Sequence, residues 1–330
     1  MPKKLIVVVG VTGVQGGSVA RLYAREPGWK VRGITRDVSK PSNAALRELG
    51  IELVQADLDD PVSLERAFEG ANIVFAVTDF WQFIRDPSVL KEAEKTRKRL
   101  NEIACEREVQ QGKNIIDVVS KLTPPLDRFV LSTLSNSERV TSGKVKWNLH
   151  FDGKGRYTDY LKATYPDLAA KTSYLYIGVY LDTWKNPLMR PVKKDDGTFA
   201  LQLLRNQGDL PIPYLNAQND TAHFVKALIT SPQPTAVLGG SRFLTVVEFW
   251  RLWAKIKNVN LVEEVVDRIG DERIPAWLQE EMADSKTFTQ SYGWAGGDPD
   301  VKRPEEIGVE MGKLTDIERW IEEEAYEGFL

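Results

Sequence analysis

Leu5-Ile-Val-Val-Val-Gly-Val-Thr-Gly-Val-Gln-Gly-Gly-Ser-Val-Ala-Arg21 decides how this chain is read. An apolar run makes a buried parallel strand, glycines make a turn, and Val19, Leu22 and Tyr23 open an amphipathic helix. Gly10, Gly13 and Gly16 stand at the spacing G-x-x-G-x-x-G. A tight turn needs glycine's access to positive φ, and a pyrophosphate approaches backbone closely only where no Cβ intrudes. The helix beginning near Gly16 offers unpaired N–H groups and the positive end of its dipole to such an anion. The stretch therefore points to a dinucleotide site, with Gly10, Thr12, Gly13, Val14, Gln15 and Gly16 as its candidate contacts.

Outward from this corner the first half alternates strand and helix. Strands are predicted at 5–9, 30–35, 52–56, 73–77, 129–132 and 173–177, and helices at 42–49, 62–68, 89–119 and 151–164. Asp60-Pro61 supplies a capping carboxylate followed by proline in the first helical turn. Such alternation calls for an α/β fold with a doubly wound parallel (Rossmann) sheet. Beyond Tyr180 the pattern loosens into prolines and short strands, then a helix from Asp220 and a strand at 236–238. Thr245-x-x-Glu248 and Thr315-x-x-Glu318 read as capping boxes. The expected organisation is a nucleotide-binding domain at 1–178, with an interleaved return around 215–240. A smaller, mostly helical substrate-binding domain takes 179–214 and 241–330.

Composition narrows the function classes. The chain has 330 residues and a net charge of −3, so no global basic field is present to hold nucleic acid or an anionic membrane. One cysteine, Cys105, allows no internal disulfide and suits a reducing compartment; it reads as a packing residue. Two histidines exclude a His-rich zinc site, and no carboxylate cluster asks for a metal. With neither a signal peptide nor an apolar span in view, a cytoplasmic location is expected, nuclear if the protein is a regulator.

The second strand ends at Thr35-Arg36, with Lys40 close behind, where NAD-binding sheets usually carry an acidic residue. A guanidinium fork suits a 2′-phosphate, which favours NADP(H). Asp57 and Leu58, after the third strand, belong beside the adenine. Thr78 and Phe80, leaving the fourth, are candidate walls around ribose and nicotinamide, with Asp79 and Trp81 towards substrate. Ser132 leaves the fifth strand at the same edge. No tyrosine is followed four residues later by lysine, so the Tyr-x-x-x-Lys proton relay of short-chain reductases is absent. At its expected place stands His150-Phe-Asp-Gly-Lys154, whose histidine and lysine share one helical face. Lys154, His150, Ser132 and Asp79 are thus the candidate catalytic groups, with Lys154 also towards the cofactor. Trp81, Tyr180 and Trp184 are candidate substrate contacts.

Together, Gly10-x-x-Gly13-x-Gln15-Gly16-Gly17, Thr35-Arg36-Asp37, Ala56-Asp57-Leu58 and His150-Phe-Asp-Gly-Lys-Gly155 resemble the NmrA-like family of atypical short-chain dehydrogenases. The likeness extends through Lys171–Gly178 and the Asp220 helix, and its flavour is that of fungal biosynthetic members. It implies a Rossmann domain, an interleaved smaller domain, and an NADP-binding cleft between them. The family also implies two kinds of activity. Some members resemble nucleotide-binding regulators that contact other proteins, such as GATA-type transcription factors. Others resemble plant ether and isoflavone reductases that use a lysine at the place of Lys154, or fungal enzymes coupling reduction to ring formation in alkaloids. The expected function is NADP(H)-dependent reduction of a small aromatic or alkaloid-like metabolite at an imine, iminium or enone. The alternative is an inactive NADP(H)-sensing co-regulator with a protein partner.

Overall fold

Eight parallel strands form the main sheet of the computed structural model, which describes residues 2–205, 207–270 and 273–330. In chain order the strands are β1 (Lys4–Val8), β2 (Trp29–Thr35), β3 (Glu52–Gln55), β4 (Ile73–Ala76), β5 (Arg128–Thr133), β6 (Thr172–Ile177), β7 (Val179–Tyr180), β8 (Val192–Lys193), β9 (Phe199–Leu204), β10 (Ile212–Leu215), β11 (Ala236–Gly239), β12 (Arg242–Leu244), β13 (Leu261–Val266) and β14 (Val301–Lys302). The main sheet runs β14-β11-β6-β5-β4-β1-β2-β3. Its order reverses direction between β1 and β4, which is where ligands of doubly wound sheets collect.

Strand β1 shows why the sequence reads as an unbroken apolar run. Ile6 and Val8 pack into one hydrophobic cluster while Val7 and Val9 pack into another on the opposite face. Val14–Arg25 crosses one face of the sheet and packs against Ala217–Thr230, where the Ala222 N–H donates to Ser18 Oγ at 3.1 Å. Through that helix and β11 the chain between 217 and 239 packs on and joins the main sheet. The sheet also recruits β14, from further along the chain.

The remainder holds three helices of seven or more residues, Val246–Lys257, Ala276–Ser291 and Ile317–Glu323, beside two three-stranded sheets, β12-β10-β7 and β13-β9-β8. Four of the six strands in these sheets span only two to four residues, and β9 and β13 carry no clean apolar alternation, which hides the sheets from a pattern reading. Trp253, fully buried, joins Phe199, Trp250, Tyr326 and Phe329 in the aromatic core of this part.

Two expectations change. The 89–119 region is two helices, Pro87–Thr96 and Leu100–Ser120, broken at Arg97 with φ +58°. The capping box at Thr315 does not form. Asp316 caps the helix by accepting from the Glu318 and Arg319 N–H groups, while Thr315 Oγ1 donates to the buried Asp220 and Glu318 pairs with Arg242. At Thr245 both reciprocal bonds are present. Among the described residues no helix is long and apolar enough to cross a membrane, and no group of three or more His, Cys, Asp or Glu is placed to hold a metal.

Cys105 is buried within Leu100–Ser120, and burial pushes its thiol up to about 12. The thiolate, not the thiol, attacks disulfide reagents. At neutral pH the folded protein is expected to react with Ellman's reagent roughly a thousandfold more slowly than the guanidinium-unfolded chain, as followed at 412 nm. Equal rates would show that the 105 environment is open in solution.

Candidate active site

The strand-to-helix turn has the geometry an anion needs. Gly10 adopts φ +69°, and a Cβ on Gly16 would lie 2.2 Å from the Gly10 carbonyl oxygen, so the helix start is pressed onto the strand end. Gly13 occupies the N-cap and supplies no side-chain acceptor, leaving the first helical N–H groups available. The turn therefore fits a pyrophosphate.

It opens into a cavity of about 780 Å³. Its wall includes Gly10, Thr12, Gly13, Val14, Gln15, Gly16, Arg36, Lys40, Asp57, Leu58, Thr78, Asp79, Phe80, Trp81, His150, Lys154, Tyr180 and Trp184. Every candidate residue except Ser132 therefore meets in one space. Ser132 is fully buried and its Oγ donates to Gln15 Oε1 at 2.8 Å, while Gln15 Nε2 donates to Tyr180 OH at 2.8 Å. Its expected role in polarising substrate gives way to a positioning one, because its hydroxyl is committed to Gln15. Trp147 lies off the wall and carries the Arg99 guanidinium 3.7 Å above its ring.

Arg36 and Lys40 are exposed and make no ion pair among the described residues. The neighbouring acid forms no ion pair with either, and Lys40 adds only a minor Coulombic pull on it. Asp37 accepts from the Ser39 hydroxyl (2.6 Å) and N–H (2.8 Å), and these bonds, the hydroxyl's first, hold its carboxyl below the usual range. Asp57 Oδ1 accepts from the Asp59 N–H at 3.0 Å, and Asp79 Oδ1 from the Trp81 N–H at 2.9 Å.

A buried ion pair and a histidine–carboxylate hydrogen bond flank the centre. Lys154 Nζ donates to Glu108 Oε1, which also accepts from Thr78 Oγ1 at 2.7 Å. Tyr157 OH lies 3.2 Å from Thr78 Oγ1 and donates to the Ser132 carbonyl, so it braces this pair rather than entering the cavity. His150 Nδ1 lies 2.7 Å from Glu281 Oε1, which also accepts the His150 backbone N–H at 2.9 Å. Asn101 Nδ2 donates to the other oxygen of Glu281 at 2.8 Å. A carboxylate at Nδ1 makes that nitrogen the N–H donor and leaves Nε2 for the cavity side of the ring's chemistry. The Trp81 and His150 rings stand 5.2 Å apart.

Pattern reading missed Glu108, Glu281 and Lys286, the last also on the wall. A signal for Glu108 existed. It falls in the buried stripe of Leu100–Ser120, between Cys105 and Gly112, where a solvated acid has no place. Glu281 comes from a helix about 130 residues further along the chain, and no local spacing announces it.

A doubly wound parallel sheet with a glycine turn at its switch point defines a Rossmann-like, NAD(P)-binding class of fold. The chain belongs to the NmrA-like family, whose sequence profile matches residues 2–324. A relative in Aspergillus campestris, the NmrA-like family domain-containing oxidoreductase cpsB, is 27% identical over 79% of this chain and 76% of its own length. The oxidoreductase notA of an Aspergillus strain is 26% identical over 70% of this chain, and the match spans just under two thirds of that relative, 65%. Among solved structures, the negative transcriptional regulator NmrA in complex with NADP superposes with a TM-score of 0.70 at 18% identity, covering 98% of this chain and 95% of that one. AtPrR2 with NADP+ and (+)pinoresinol gives 0.67 at 15% identity, covering 98% of each chain.

Proposed function

We propose that this chain is an NADP(H)-dependent oxidoreductase that reduces a small aromatic, alkaloid-like secondary metabolite at an imine, iminium or conjugated carbonyl, with ring formation a coupled step. One observation carries the reading. A single cavity is walled at once by the glycine turn, by Arg36 and Lys40, by Lys154 and His150, each held by a carboxylate, and by Trp81, Trp184, Trp250 and Trp294. Its volume falls in the range of small-ligand sites, roughly 300–1,000 Å³, and flat aromatic walls suit a flat substrate. The oxidoreductase names of the fungal relatives support the class of activity.

NADPH, when bound, supplies hydride. The backbone of 10–16 would hold its pyrophosphate, Arg36 and Lys40 its 2′-phosphate, and Lys154 its nicotinamide ribose. Glu108 keeps the Lys154 ammonium in one place, and Thr78 fixes that carboxylate in turn. His150, held at Nδ1 by Glu281, is the group able to pass a proton from Nε2 to the substrate nitrogen or enolate. An iminium carbon needs no proton before hydride arrives, which makes the absent tyrosine tolerable.

NADPH fluorescence in the presence of cyclic imines and enones tests this. Consumption is expected, and His150→Gln should lower kcat by about 10²–10⁴ with NADPH affinity unchanged. If NADPH binds but no member of the panel consumes it, the nucleotide-sensing co-regulator with a protein partner becomes the better account.

A further inference from the structure

Counting charges around the cavity leaves two cations unaccounted for. Its described wall carries Arg36, Lys40, Lys154, Arg190 and Lys286 against two carboxylates, Asp57 and Asp79, both just past strands of the main sheet. Lys154 is neutralised by Glu108, and Arg36 and Lys40 stand where a 2′-phosphate is expected. Arg190 and Lys286 come from the C-terminal segments, and neither makes an ion pair or side-chain hydrogen bond to a described residue.

The surrounding structure keeps both cations in place without discharging them. Arg190 lies with its guanidinium 4.5 Å from the centre of the Phe329 ring, a contact that orients the group but supplies no counter-charge. Lys286 sits on Ala276–Ser291, whose carboxylates are all engaged elsewhere. Glu280 pairs with Arg99, Glu281 with His150 and Asn101, and Asp284 accepts from the Lys146 and Trp147 N–H groups at 2.8 and 2.7 Å. These bonds clamp the helix to the nucleotide-binding part and fix where Lys286 meets the cavity. Burial pulls its ammonium down to about 8, the mark of a cation held without a partner. Part of its surface stays accessible, so water in the open cavity moderates that cost. Trp184 adds a third unmatched donor. It is 5% exposed, lines the same cavity, and its Nε1–H has no acceptor.

Two cations and an indole N–H, none with a partner among the described residues, describe a site for an anionic oxygen group. We propose that the substrate carries a carboxylate, which Lys286 and Arg190 neutralise in the part of the cavity walled by the C-terminal segments. The assignment rests on the cavity's being the substrate site. It narrows the substrate to an acid or a zwitterion, since a purely cationic alkaloid would be repelled by two unpaired cations.

Indole-3-carboxylate and its neutral amide, titrated into the protein both with and without excess NADP+ and read by calorimetry, make the test. The acid is expected to bind at least about tenfold more tightly than the amide, as a hydrogen-bonded charge pair requires. Lys286→Met and Arg190→Gln should each erase most of that preference, and Lys286→Arg should keep it. NADP+ affinity, measured on every variant, should not move and so reports an intact fold. Equal binding of acid and amide, no binding of either, a preference that survives both charge-removing variants, or weakened NADP+ binding in them would each overturn the proposal. The two readings fail separately. A Lys286-dependent acid preference in a protein with no NADP+ affinity would sink the oxidoreductase and leave the carboxylate site. NADP+ binding without that preference would do the reverse.

Discussion

Lys154→Met is expected to lower the free energy of unfolding by about 3–5 kcal/mol, and Glu108→Gln in the same chain to restore more than half of it. The reason lies in what the substitution leaves behind. Lys154 and Glu108 form an ion pair whose carboxylate is fully buried, and one oxygen of that carboxylate has no partner even in the intact protein. Removing the ammonium strands a charge in a medium that solvates it poorly. Replacing the acid as well removes the charge and leaves a neutral amide beside Thr78, which costs far less. Urea unfolding of the two single variants and the double variant measures the coupling directly. A Lys154→Met protein as stable as its parent would mean that Glu108 is solvated or protonated in solution. The same pair separates structure from chemistry. If Lys154 serves the cofactor ribose, the stabilised double variant still shows a deep loss of kcat, whereas a scaffold role predicts that turnover returns with stability.

How much of this was legible follows the range of the interactions involved. Seven of the eight main-sheet strands were readable with ends within about a residue, because the central ones, β4 and β5, are buried along their whole length and the others keep an apolar run bounded by turn residues, whereas the two-residue edge strand β14 was not read. That the glycine turn, the β4 edge and His150–Lys154 would line one cavity was readable for a related reason. They sit at the carboxyl ends of those strands or at one helical spacing, and local pattern fixes their address. What escaped is non-local. Glu281 reaches His150 only because Ala276–Ser291 folds back over residues 146–150, and four of the six strands in the two small sheets span only two to four residues, while β9 and β13, six residues each, carry no clean apolar alternation. Ser132 illustrates the opposite error. Its place at the edge of β5 was readable, but which way its hydroxyl bonds depended on Gln15 and Tyr180, far apart in sequence.

Arg36→Ala should shift cofactor choice from NADPH towards NADH by about 10–100-fold in the ratio of dissociation constants, nearly all of it through weaker NADPH binding. A guanidinium offers a 2′-phosphate two charge-assisted hydrogen bonds in a fixed fork, and at an exposed arginine solvent screening holds the pair to about 1.5–3 kcal/mol, the value of one such bond. The rest of the loop leaves that capacity free, since Asp37 is taken by Ser39 and Arg36 has no described partner. Lys40→Ala should have a smaller effect, because an exposed ammonium on a flexible stem holds a phosphate as a point charge and is screened by salt. NADH, lacking the phosphate, should bind either variant as it binds the parent, which separates lost recognition from a damaged site. A neighbouring cleft of about 480 Å³ shares Arg36 and Asp57 with the main cavity and adds Arg66 to its wall. That second guanidinium sharpens the test. If Arg36→Ala leaves the preference intact and Arg66→Ala abolishes it, the phosphate lies beyond β3 rather than at the end of β2. The charge count that singles out Lys286 and Arg190 would then have to be redone with Arg36 as a third cation awaiting an anion.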